Sequence, residues 1–79
     1  MPEPTRQNET GHGTPEKLRE FAAEMLHLAQ VHADLAVTFA LVGDDTGLQY
    51  ATRNVISYVK AAATTVADLA AHKLRRSGS

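Results

Sequence analysis

The chain has 79 residues, of which 43% are hydrophobic and 22% charged, and its formal net charge is −1. A chain of this length has room for one small domain and rarely buries enough apolar surface to be stable by itself. It contains no cysteine, which excludes disulfides, a thiolate nucleophile and a zinc–thiolate site. The nearly neutral charge gives no general attraction to nucleic acid or to an anionic membrane.

The distribution of apolar residues also predicts a location. The longest apolar stretch, Leu35 to Val42, is interrupted by Thr38 and is far shorter than the roughly 20 residues of a bilayer span. The N-terminus is polar and lacks the apolar segment of a signal peptide. The sequence therefore predicts a soluble cytoplasmic protein that binds neither membrane nor nucleic acid.

Residues 1–13 are predicted to be a disordered N-terminal tail, because prolines and glycines interrupt polar residues without any periodicity. A first helix is expected over about residues 15–42. Thr14 can cap its free amides and Pro15 suits the first helical position. Gly43 is the residue type favoured in the left-handed position just after a helix.

Residues 43–47, Gly-Asp-Asp-Thr-Gly, are predicted to form a turn in which Asp44 or Asp45 caps a second helix. That helix is expected over about residues 46–75, which leaves residues 77–79 as a disordered C-terminus. The fold class is therefore all-α, an antiparallel two-helix hairpin over residues 14–76.

A regular stripe with spacings of three and four residues runs along the first helix: Leu18, Phe21, Met25, Leu28, His32, Leu35, Phe39 and Val42. Such a repeat lines one face of an α-helix. The second helix has its own apolar face: Leu48, Val55, Val59, Ala62, Val66 and Leu69. Alanines also recur every seven residues at 22, 29 and 36, which either allows close helix approach or reflects helix propensity alone.

Apart from the histidine of the stripe, only Asp34 and Thr38 interrupt the apolar residues between Val31 and Val42. A two-helix hairpin cannot cover a helix that is apolar on all sides. The sequence therefore predicts a homodimer that forms a four-helix bundle, or pairing with a helical partner protein. The predicted helix-pairing interface contains Leu18, Phe21, Met25, Leu28, His32, Leu35, Phe39, Val42, Val55, Tyr58, Val59, Val66 and Leu69.

Charge supports the antiparallel orientation. Residues 15–43 hold two cations and four anions, and residues 44–79 hold five cations and three anions. Folding at the turn brings the acidic start of the first helix near the basic end of the second, with Glu16 close to Lys73. Exposed ion pairs contribute at most about 1 kcal/mol each, so they favour an orientation without holding the fold.

Polar residues provide few candidates for chemistry. His32 is expected to form a buried hydrogen-bonded layer with Asn54, Ser57 or Tyr58, or alternatively to bind a ligand or a proton. Glu24 and His27 have the Glu-x-x-His spacing of di-iron helix bundles, but the further inward carboxylates of such sites are missing. Asp68 and His72 are interpreted as a surface pair.

No set of nucleophile, base and metal ligands converges in this sequence. The predicted function is therefore a small non-enzymatic interaction or adaptor module that self-associates and needs no cofactor or metal. One alternative is a bundle that binds a metal or a small molecule through His32 and Tyr58, or through Glu24 and His27. The other is a hairpin that assembles with a different helical protein.

Overall fold

The computed structural model describes residues 14–78, and the side chains of residues 14–74 among them. Helix α1 spans Pro15–Val42, helix α2 spans Asp45–Gly78, and the two pack against each other as a hairpin. The described residues contain no strand, so the predicted all-α hairpin is confirmed. Helix α2 runs past its expected end near residue 75, while the predicted tail at residues 1–13 lies outside the described residues.

Both ends of α1 are closed by local hydrogen bonds. The Thr14 hydroxyl oxygen accepts from the Lys17 backbone N–H at 3.2 Å, and Pro15 occupies the first helical position. At the other end Gly43 has φ 76° and ψ 21°, its N–H donates to the Ala40 carbonyl, and the next N–H donates to the Phe39 carbonyl. This is the Schellman arrangement, which favours glycine because only glycine adopts positive φ without strain.

The turn into α2 is tight. The Asp44 carboxylate accepts from the Gly47 backbone N–H at 2.9 Å and caps the new helix. The ring of Phe39 lies directly over Gly47, so that a Cβ atom built on Gly47 would be 2.7 Å from the ring atom Cδ1. The close approach of the two helices at the turn therefore depends on the missing side chain at position 47.

The seam between the helices is made of small residues alternating with large ones. On α1 it consists of Leu18, Ala22, Met25, Ala29, His32, Ala36 and Phe39, and on α2 of Leu48, Ala51, Val55, Tyr58, Ala62, Thr65, Leu69 and His72. Its most buried members are four alanines and one threonine, and Ala51 is completely buried. The alanine row of the first helix thus faces the second helix, where small side chains allow a close approach.

The seam within one hairpin uses only part of the predicted stripe of α1, and the pairing of the remaining members with other helices stays a prediction. Leu18, Met25, His32 and Phe39 belong to the seam, but the alternate members of the stripe do not. Leu28 is half-buried at the edge, and Phe21, Leu35 and Val42 are 45%, 41% and 70% exposed. On α2, Val59 and Val66 of the predicted face are also exposed. The physical reason is that two helices approach most closely through their smallest side chains, so the larger members of the stripe lie beside the seam of a single hairpin.

Candidate interaction surfaces

The hairpin has two broad sides, one on each side of the seam. A shallow open groove on one side is lined by Leu26, Ala29 and Ala33 of α1 together with Val55 of α2. Val59 and Val66 follow Val55 on the same flank of α2, because residues four and eleven positions apart share a helix face. On the opposite side the rings of His32 and Tyr58 meet across the seam.

The side with the groove, which we call the Leu26 face, is apolar on both helices. Leu26 and Val37 of α1 and Ile56, Val59 and Val66 of α2 are all exposed there. Alanines lie between these large residues, at positions 23, 33, 40, 63 and 70. The polar residues in the middle of this face include Gln30, Gln49 and Thr52, and His27 also lines the groove.

The other side, the Phe21 face, is apolar on one helix only. Helix α1 supplies Phe21, Leu28, Val31, Leu35 and Val42, together with Glu24 and Thr38. Helix α2 supplies mainly polar or small residues: Tyr50, Asn54, Ser57, Ala61, Thr64 and Asp68. The two faces therefore offer different chemistry, since a charge lies among the apolar residues of the Phe21 face.

His32 occupies the seam, but it does not form the predicted hydrogen-bonded layer. Its Nδ1 atom lies 2.9 Å from the carbonyl oxygen of Leu28, one turn earlier in the same helix. A carbonyl can only accept, so Nδ1 is the donor in this hydrogen bond. The imidazole packs on the Tyr58 ring with a centroid separation of 5.1 Å and a tilt of 43°. Ser57, one of the expected partners, points to solvent.

The remaining polar candidates lie apart from one another. Glu24 and His27 are exposed, as is Asp68, while His72 is half-buried. Within residues 14–74 no three His, Cys, Asp or Glu side chains come close enough together to hold a metal ion. Glu16 and Lys73 do not form the expected ion pair, and Lys17 instead pairs with Glu20 at 3.6 Å on the surface of α1.

Helix α1 has one property that the count of uninterrupted apolar residues missed. By length and composition it is apolar enough to cross a membrane, and almost none of its most apolar window is buried in the hairpin. The apolar residues are spread around the helix and are separated by single polar residues rather than forming one continuous run. A helix that packs against several other helices has the same composition.

The described hydrogen bonds of Thr38, Asp44 and Thr65 are local, each to a backbone group three or four residues away. Such bonds shape the helices and bring no nucleophile and base together. The chain matches no protein-family model, no curated protein and no solved structure. Its two faces are therefore the features from which a function can be inferred.

Proposed function

We propose that this protein is a small non-enzymatic interaction module that associates with itself, two hairpins forming a four-helix bundle. The observation that carries this proposal is the exposure of twelve large apolar side chains in the described residues: Phe21, Leu26, Val31, Leu35, Val37, Leu41, Val42, Tyr50, Ile56, Val59, Val66 and Leu74. Burying one large apolar side chain completely is worth about 1.5–3 kcal/mol. Covering even half of these groups therefore provides a strong driving force for association.

The kind of partner follows from the shape of the surface. The exposed residues recur at helical spacings on two parallel rods, so the ridges and grooves of other helices fit them best. A second copy of the hairpin supplies two such helices with the same spacing. Large exposed apolar patches mark interaction sites in soluble proteins.

Sedimentation equilibrium of the full chain between about 1 and 100 μM tests the proposal. One chain has a mass of 8.5 kDa, and we expect the fitted mass to approach that of two chains across this range. A folded helical monomer throughout would contradict self-association.

The apolar composition of α1 favours one rival, insertion into a lipid bilayer, which vesicle flotation distinguishes from self-association. Purified protein is mixed with neutral phosphatidylcholine vesicles and centrifuged through a density gradient. We expect the protein to stay at the bottom of the gradient as a soluble dimer. Recovery with the floating vesicles would favour the membrane and overturn the proposal.

A further inference from the structure

We infer that the second copy packs on the Leu26 face, with the turns of both hairpins at the same end of the bundle. This inference rests on the proposed self-association and specifies its surface and its orientation. In such a dimer each α1 lies between the α2 of its own chain and the α2 of the other copy. All neighbouring helices are then antiparallel.

The choice of face follows from where charge lies. The centres of protein interfaces are depleted of charged residues. The middle of the Leu26 face has no Asp, Glu, Lys or Arg, because Arg19 and Lys73 lie toward its end away from the turn, and both of its helices contribute exposed aliphatic side chains. A partner on the Phe21 face would instead cover Glu24 and Asp68, and would meet a mainly polar α2.

The size of the face matches what a stable dimer needs. Helix α1 has 28 residues, which at 1.5 Å per residue is about 42 Å long, and two helices side by side are about 20 Å wide. The footprint is therefore about 800 Å², close to the area that each partner buries in a standard interface.

The relief of the Leu26 face allows it to pack against a copy of itself. The groove beside Leu26 has alanines at 23, 29 and 33 in its walls, so it is shallow and open. Larger aliphatic side chains, including Val59 and Val66, protrude from the other helix of the same face. When α1 of one copy faces α2 of the other, protruding side chains meet small ones on both sides of the twofold axis.

The orientation follows from the net charge of each helix. Residues 15–43 carry a net charge of −2, from two cations and four anions, and residues 44–79 carry +2, from five cations and three anions. With both turns at the same end, every helix has neighbours of opposite net charge. With the turns at opposite ends, α1 packs on α1 and α2 on α2, which places like charges together.

A matched pair of substitutions tests the face. Val59 on the Leu26 face is 44% exposed and Leu35 on the Phe21 face is 41% exposed. We expect Val59→Glu to raise the dimer dissociation constant by about a hundredfold or more, because two uncompensated charges enter the interface. Leu35→Glu introduces the same change in charge, but the dissociation constant of its dimer should stay within about threefold of the parent value.

The milder pair Val59→Ala and Leu35→Ala keeps helix propensity high and guards against loss of folding. We expect the dimer dissociation constant to increase about tenfold for Val59→Ala and not to change for Leu35→Ala. If substitution of Leu35 raises the dimer dissociation constant and substitution of Val59 does not, or if both raise it equally, the Leu26 face is not the interface. Self-association itself would still stand. A parent protein that sediments as a monomer overturns the proposed function itself.

A distance measurement tests the orientation. The chain has no cysteine, so Thr46→Cys provides a single exposed labelling site close to the turn. With both turns at the same end, double electron–electron resonance of the spin-labelled dimer should give a distance of about 20–30 Å, the width of a bundle. With the turns at opposite ends, the helix length would separate the labels by about 45 Å, and this result would overturn the orientation.

Discussion

Gly47 provides a sharp test of the packing at the turn, because two opposing effects of Gly47→Ala can be estimated separately. Alanine is favoured over glycine inside a helix by about 1 kcal/mol. The new Cβ, however, would be 2.7 Å from Cδ1 and 2.8 Å from Cγ of Phe39. Carbon atoms in contact prefer separations of about 3.5–4.0 Å. Because Cγ is the root of the ring, rotation of the ring about its own axis does not relieve the overlap.

Overpacking of this kind costs about 1–3 kcal/mol. The cost exceeds the gain in helix propensity, so we expect Gly47→Ala to lower the free energy of unfolding by about 1 kcal/mol. Urea denaturation followed by circular dichroism, at one fixed protein concentration, measures this change.

The matched control is the same substitution in a Phe39→Ala background, which removes every ring atom. There the overlap is absent, and Gly47→Ala should stabilise by about 1 kcal/mol through helix propensity. The sign of the effect thus reverses between the two backgrounds. If Gly47→Ala stabilises the parent as much as it stabilises the Phe39→Ala variant, the close contact at the turn does not exist.

Two further substitutions test the seam. Ala51→Leu places a large side chain where the structure leaves no exposed surface, and it should destabilise by about 3 kcal/mol or more in urea denaturation. The exposed Ala67→Leu should change stability by less than about 0.5 kcal/mol, and equal effects would contradict the seam. His32→Leu should keep or raise the melting temperature, since the Leu28 carbonyl that accepts from the imidazole also accepts a backbone N–H in the helix and is not left unpaired. Unfolding of the His32→Leu variant would show that the imidazole has an essential partner.

Local chemistry explains which parts of the fold were predictable. The start of α1 at Thr14 and its end at Gly43 depend on hydrogen bonds between residues at most five positions apart. The cap of α2 at Asp44 is equally local. Such interactions can be read from a few consecutive residues, so both ends of α1, the start of α2 and the hairpin followed from the sequence, whereas the C-terminal end of α2 did not.

The choice of seam could not be predicted in the same way, because α1 carries several adjacent apolar rows. Periodicity identifies a helix, but it does not tell which row faces the neighbouring helix. The decision depends on how closely the two helices approach, which is a property of the pair. The useful signal was the alanine row at 22, 29 and 36, which matches small residues at Ala51 and Ala62 of α2.

The partner of His32 was also beyond sequence reasoning. The expected layer assumed hydrogen bonds across the seam, whereas the ring nitrogen reaches a carbonyl one turn earlier in its own helix. Both geometries are available to a histidine at such a position. The sequence predicted that His32 and Tyr58 would meet, but it predicted a hydrogen bond between them, whereas the two rings pack against each other at a tilt of 43°.

In the proposed dimer, a seam of alanines would make the stability of this protein depend on its concentration. Each buried alanine contributes a single methyl group, worth about 0.8 kcal/mol, so the interior of one hairpin provides little free energy. Whatever covers the outer faces binds the folded chain and not the unfolded one, and by mass action it raises the melting temperature. Under the proposed self-association, the chain in dilute solution would unfold locally more often and expose its backbone to proteases. The cellular concentration of the protein would then set its lifetime, because the small seam residues stabilise a single hairpin only weakly.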